Sequence, residues 1–307
     1  MFPNVSGTTQ QYLANLGRTE QQLQTVTQQI SSGIDVQQPS DNPAAVSEIL
    51  QTEASLAKNQ QVQTNLSSVT AEVNSADSAL QTAIQQVQSA ISLATEGGSS
   101  TMSATDRATL AQQVASIQQS LVGIAQTQVN GRYIFSGDQD TQAPYQLDST
   151  APEGVQQLVT SGSTRMIQSV DGTSFAVALT AQQIFDPQNS DGTSATGNTF
   201  AAIQDLVNAL NNNDTAGIQS ATDALQSASS YVNGQLQFYG DVENRVTEAT
   251  SLAQKFQTQQ QTELSNLQDT DIPSAATKLS ELQVQQQASM EVESSVQQMK
   301  NLFSYLA

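Results

Sequence analysis

Apolar positions recur every three or four residues along most of this chain, separated by Gln, Ser, Thr and Asn. Near the start, Leu16, Leu23, Val26 and Ile30 make one such stripe. Near the end, Val292, Val296, Met299, Phe303 and Leu306 make another. Each is the apolar face of an amphipathic helix, and no neighbouring sequence supplies a domain to cover it. Two such helices can bury their stripes against each other or against further copies of the chain. An assembling subunit is built this way, and a self-contained enzyme is not.

The first helix is predicted from about Thr9 to Ser32, with Gly33 suited to the position just past its end. A second follows Pro39, with Asp41 or Asn42 as cap and Pro43 in its first turn. Its apolar positions Leu66, Val69, Val73, Ala76, Leu80, Ile84, Val87 and Ile91 approach a heptad pattern, and Gly97-Gly98 end it. A third, capped by Ser103, carries Leu110, Val114, Ile117, Leu121 and Ile124 and stops at Asn130-Gly131.

Between Asp138 and about Asn198 the character changes. Gly, Pro, Asp and Thr punctuate short β-prone runs at Val155–Thr160, Met166–Val170 and Ser174–Leu179, and Asp171-Gly172 is a hairpin turn signal. Helical spacing returns at Phe200 with Ile203, Leu206, Val207 and Leu210. A long helix then runs from Ile218 through Tyr239 and Phe256 towards Leu267. A break at Asp271-Ile272-Pro273 precedes the last helix, which opens with Leu279 and Leu282.

The predicted fold class is mainly α with a β insert, in which long helices from both ends nest around a small β-rich domain. The expected domains are residues 1–43 with 270–307 (terminal assembly helices), 44–137 with 199–269 (helical rod) and 138–198 (β-rich outer domain). The inner stripes are expected to be core. The outer ones, set apart by Pro39 and Pro273, are expected to pack between molecules.

Composition narrows the function. Only 12% of the 307 residues are charged, yet the formal net charge is −19, which disfavours phosphate-backbone binding. There is no Cys and no His, hence no disulfide, no thiolate, and none of the commonest general base and metal ligand. The aspartates at 138, 140, 148, 171, 186 and 191 sit at no motif spacing and read as turn residues. Asp138-Gln139-Asp140 lacks the alternating ligands of a calcium loop. The sequence therefore predicts no enzyme, no cofactor and no metal. The opening MFPNVSGTTQ has no basic region leading into an apolar stretch, so no cleaved signal is expected, and no apolar run is long enough to span a membrane.

Three stretches carry a family resemblance. They are Gln29-Ile30-Ser31-Ser32-Gly33 running into Gln38-Pro39-Ser40-Asp41-Asn42-Pro43-Ala44-Ala45, then Asn130-Gly131-Arg132-Tyr133-Ile134-Phe135-Ser136-Gly137, and the tail Asn301-Leu302-Phe303-Ser304-Tyr305-Leu306. In these the chain resembles the bacterial flagellin superfamily, and within it the hook–filament junction family; flagellin itself is the alternative. The resemblance covers about the first 137 and the last 100 residues.

The junction family implies a structural protein that joins hook to filament by coiled-coil-like self-assembly. The implied partners are other copies in a short helical tier, hook-associated protein 1, flagellin, and an export chaperone on the C-terminal segment at Leu282, Val292, Val296, Met299 and Phe303. It also implies export along the flagellar type III route, from the cytoplasm to the extracellular flagellum. The assembly interface would be Leu16, Leu23, Val26 and Ile30 with Val292, Val296, Met299, Phe303 and Leu306. A lone helix of this kind is marginal in water, so the outer helices are expected to order fully only on assembly.

Overall fold

The computed structural model describes residues 7–160, 162 and 164–305, without the side chains of 7–9 and 296–305. The helices are α1 (Gly7–Ser32), α2 (Pro43–Gly97), α3 (Ala104–Ala125), α4 (Ala181–Phe185), α5 (Thr199–Asn211), α6 (Thr215–Gln268) and α7 (Ile272–Tyr305). The strands are β1 (Gln128–Val129), β2 (Arg132–Tyr133), β3 (Tyr145–Leu147), β4 (Val155–Gln157), β5 (Met166–Gln168) and β6 (Ser174–Ala176). Among the described residues the strands form three separate antiparallel pairs, β1–β2, β3–β4 and β5–β6, rather than one sheet. The chain divides into two compact units, residues 1–58 with 257–307, and residues 59–256.

The larger unit holds one continuous core. On α2, Leu66, Val73, Leu80, Val87 and Ala94 follow at every seventh residue, each at most 2% exposed. On α6, Ile218, Leu225, Val232, Tyr239, Val246 and Ala253 keep the same interval, each at most 3% exposed. A repeat of seven holds one face of a helix against its neighbours over many turns. Leu110, Val114, Ile117 and Leu121 of α3 and Phe200, Ile203, Leu206 and Leu210 of α5 complete the same cluster. Ser103 caps α3 as the sequence predicts, its hydroxyl accepting from Asp106 N at 3.2 Å. Arg107 ties the α2–α3 connection to that between α5 and α6, donating to Gly97 O and Ser99 O at 2.7 Å each and to Asn213 Oδ1.

The Asn-Gly-Arg-Tyr-Ile-Phe-Ser-Gly stretch has a clear packing reason. Asn130 and Gly131 both take positive φ (52° and 76°), which turns β1 into β2 in two residues. This delivers Phe135, fully buried, into an aromatic cluster. Its ring meets Phe185 and Tyr239 edge-on at 6.4 Å each, while Phe200 stacks at a tilt on Phe185 (5.8 Å) and Tyr145 (5.1 Å). Edge-on and tilted pairs at these separations are favourable beyond their buried area.

The β5–β6 hairpin is held differently. Arg165 pairs with Glu72 of α2, and the Arg245 guanidinium lies 4.3 Å above the Phe175 ring. The helix α4 and the strands β1, β2 and β3 have no counterpart in the sequence reading, which carried the third helix on to Asn130-Gly131, whereas α3 ends at Ala125 and Asn130-Gly131 turns a hairpin. At two to five residues each they are too short to show a period.

Candidate assembly interface

The smaller unit is built from α1, α7, the outer end of α2 and the outer end of α6. Its closure lies in the two loops. Gly33, at φ 74°, ends α1 with its N–H on Gln29 O at 2.8 Å, a conformation that suits glycine. The chain then pairs with the α6–α7 connection: Asp35 N donates to Gln268 O (2.7 Å) and Thr270 N to Gly33 O (2.8 Å).

The Pro-Ser-Asp-Asn-Pro segment splits its two capping candidates. Asp41 Oδ2 accepts from the backbone N–H of Gln37 (3.0 Å) and Gln38 (2.8 Å), fixing the loop. Asn42 Oδ1 accepts from Ala45 N at 3.3 Å and caps α2. Behind them Val36, Ala45 and Ile49 form a small core with Leu264 and Leu267.

The helices α1 and α7 pack on each other. The covered face of α1 runs Tyr12, Leu16, Thr19, Leu23, Val26 and Ile30, at alternating intervals of four and three. The predicted stripe is therefore the packed face, yet within it only Thr19 is buried and the apolar members stay half-buried. The covered face of α7 runs Ala275, Leu279, Leu282, Gln286, Ser289 and Glu293 at the same intervals. Leu282 is buried, but beyond it this face is polar.

The exposed side of α7 instead carries Val284, Met290 and Val292, at 65, 48 and 62% exposure. Val292 thus stands away from Leu282, with which the sequence grouped it. The side chains of Val296, Met299 and Phe303, and Leu306 altogether, lie outside the described residues. Leu13, Leu50 and Ile272 add further exposed apolar side chains to the same unit.

The α1–α7 contact is also incompletely filled. A groove of about 370 Å³ is lined by Arg18, Gln21, Gln22, Thr25, Val26, Lys278 and Leu282. Lys278 pairs with Glu281 at 3.6 Å, both side chains more than half exposed, which is worth little. Where the two long helices approach each other in this unit, the seam turns polar as well. Glu48, Gln51, Thr52, Ser55, Gln260 and Glu263 line a gap of about 250 Å³. The seven-residue row of α2 explains it: Ala45 is followed by Thr52 and Asn59 before apolar residues resume at Leu66.

No His, Cys, Asp and Glu grouping among the described residues could hold a metal ion. Three of the aspartates read as turn residues behave so; Asp186 does not, being buried at the end of α4 against Tyr145 and Asn198. Asp148, Asp171 and Asp191 each accept from the backbone N–H and hydroxyl of the Thr two residues on, which holds their carboxyls below the usual range. No helix among the described residues is long and apolar enough to cross a membrane.

Comparison with known proteins agrees with this architecture. The chain is 30% identical over 212 residues to flagellar hook-associated protein 3 of Escherichia coli and 28% identical over 209 residues to that of Salmonella typhimurium. Each match covers 66% of this chain and 64% of the relative, so the chain aligns with a little under two thirds of their length. The solved flagellar hook-associated protein-3 of Legionella pneumophila shares the fold at a TM-score of 0.60 and 14% identity, over 71% of this chain and 98% of that one. The bacterial flagellin N-terminal helical region matches residues 4–140 and the C-terminal helical region residues 216–306. Those two regions hold α1–α3 with the β1–β2 turn and α6–α7, the segment between them holds β3–β6, α4 and α5, and the chain belongs to the flagellin superfamily.

Proposed function

We propose that this chain is a structural subunit of the bacterial flagellum that joins the hook, through hook-associated protein 1, to the flagellin filament. The observation that carries this reading is the unequal finish of its two units. The larger closes around one continuous core, with Leu147, Leu158, Met166 and Phe256 left exposed; the smaller, little more than half its length, leaves Leu13, Leu50, Ile272, Val284, Met290 and Val292 exposed and its helix pair half-covered. Exposed apolar side chains concentrated on the shorter unit mark an interaction surface. Stripes of this kind are completed by further copies, and a head-to-tail contact that does not close builds a helical tier.

In this reading Leu16, Leu23, Val26, Ile30 and Val292, with Val296, Met299, Phe303 and Leu306, meet neighbouring subunits in a coiled-coil-like tube. Leu282, Val292, Val296, Met299 and Phe303 are held before export by a chaperone that takes the segment as a helix in a groove. The subunit reaches the extracellular flagellum through the flagellar type III route. It performs no reaction; it adapts a flexible hook to a stiffer filament.

The test is electron microscopy of the purified protein added to isolated hooks that already carry hook-associated protein 1. A short tier that stops growing, and then permits flagellin to polymerise, is the expected result. Long filaments of this protein alone would make it a filament subunit instead.

A further inference from the structure

The insert holds a pair of carboxyl groups with no cation beside them among the described residues. Asp186 closes α4 and Glu153 precedes β4; Asp186 is buried and Glu153 half-buried. One side chain, that of Asn198, joins them: its Nδ2 donates to Asp186 Oδ1 at 2.7 Å and to Glu153 Oε1 at 3.1 Å. The amide cannot be turned round, because Asn198 Oδ1 accepts from Ala201 N at 2.9 Å and so caps α5.

The remaining contacts are neutral donors. Tyr145 OH donates to Asp186 Oδ2 at 2.7 Å, Gln188 Nε2 reaches the same carboxylate at 3.3 Å, and the Ser194 hydroxyl donates to Glu153 Oε1. The titratable groups that meet here are Tyr145, Glu153 and Asp186. Two anions bound to one amide nitrogen, one buried and one half-buried, without a counter-ion, repel each other, and such pairs hold a proton between them. Asp186 has the larger set of donors and so is the better anion; Glu153 is the better acid.

We infer that Glu153 keeps its proton at pH values where free carboxyl groups have lost theirs, and that this proton latches the β3–β4 hairpin to the start of α5 through Asp186 and Asn198. Burial, before any other cause, raises both carboxyls above the ordinary range, and it also raises the Tyr145 hydroxyl, so tyrosine stays a donor throughout. The sign follows from linkage. A carboxyl raised in the folded state favours folding below its unfolded pKa, and that contribution is lost as pH rises through the folded value. Within that window the folded chain binds one proton more than the unfolded one. The local opening constant then rises by up to about tenfold per pH unit.

The experiment is hydrogen-exchange mass spectrometry on the full chain between pH 5 and pH 9, read as protection factors, which removes the intrinsic pH dependence of exchange. The wild type should lose protection at residues 145–157 by up to about tenfold per pH unit above the ordinary carboxylate range. Glu153→Gln, which copies the protonated acid, should be flat with pH and protected at least as well as the wild type at high pH. Carboxyl-13C titration of the wild type, labelled at glutamate, should show one resonance titrating above the others.

A pH-independent wild type, an unchanged slope in Glu153→Gln, or no displaced glutamate resonance would overturn the inference. So would loss of protection in Glu153→Gln at every pH. Protection restored at high pH by millimolar calcium would overturn it too, because the pair would then hold a cation in place of the proton.

Discussion

Follow the seven-residue row of α2 from one end to the other and two different interiors appear. From Leu66 to Ala94 every member is apolar and essentially inaccessible. From Ala45 to Asn59 the row reads Ala, Thr, Asn, and a polar gap of about 250 Å³ opens beside Thr52. The same helix therefore serves a sealed core in one unit and a lightly held seam in the other. Fully burying a Leu or Val contributes about 1.5–3 kcal/mol, and a Thr or Asn at the same position forgoes most of it. The larger unit stabilises itself, whereas the smaller one buries Val36, Ala45, Ile49 and Leu282, leaves the α1 stripe half-buried and exposes Leu13, Leu50, Val284, Met290 and Val292. Incompleteness in one unit, beside sufficiency in the other, is what a subunit that finishes folding on its neighbours requires.

The contrast can be broken first where it is strongest. Phe135→Ala removes the ring at the centre of the aromatic cluster and should cost about 3–5 kcal/mol in urea unfolding of the full chain. Leu23→Ala, on the half-buried face of α1, should cost less than about 1 kcal/mol in the same assay, because little area leaves water there. Equal losses would remove the distinction between the units.

A substitution that extends the sealed seam should sharpen the comparison in the other direction. Asn59 is buried and donates to Ala253 O at 2.9 Å across the helix pair, as a polar residue does when it fixes register. Asn59→Leu should raise stability by about 1 kcal/mol while loosening the register that the amide specifies. Urea unfolding reads the first, and cysteine cross-linking of introduced pairs along α2 and α6 reads the second. Asn42→Ala, which deletes the cap of α2, should cost about 1 kcal/mol and speed exchange of the first-turn amides only.

The smallest effect on the monomer should accompany the largest on assembly. Val292→Ser changes an exposed side chain and should shift monomer stability by less than about 0.5 kcal/mol. It should nonetheless reduce incorporation onto hooks in sedimentation assays.

The helices of the sealed unit were legible because burial there is continuous and imposes a period. Leu66, Val73, Leu80 and Val87 announce their shared face in the sequence alone. The loop residues were half legible: Asp41 and Asn42 are both capping types, and only the backbone decides that Asn42 caps while Asp41 turns back to Gln37 and Gln38. Val292 shows the limit of periodicity. It lies on a regular stripe with the tail residues, but the face of α7 covered by α1 is set by Leu279 and Leu282 and passes through Gln286 and Ser289 instead.

The carboxyl pair left almost no local signal. Tyr145 and Asp186 are 41 residues apart and Glu153 and Asn198 are 45 apart, so contacts of this kind arise only from the fold. An odd feature of the aspartates could have hinted at it. Asp148, Asp171 and Asp191 each precede a Thr by two residues, as turn aspartates do, whereas Asp186 does not.

The most direct test of the account compares hydrogen exchange in the soluble monomer with exchange after assembly on hooks. The prediction is fast exchange in α1 and α7 of the monomer, strong protection over residues 66–94 in both states, and protection of α1 and α7 once assembled. Protection of α1 and α7 in the monomer equal to that of residues 66–94, with no gain on assembly, would contradict it.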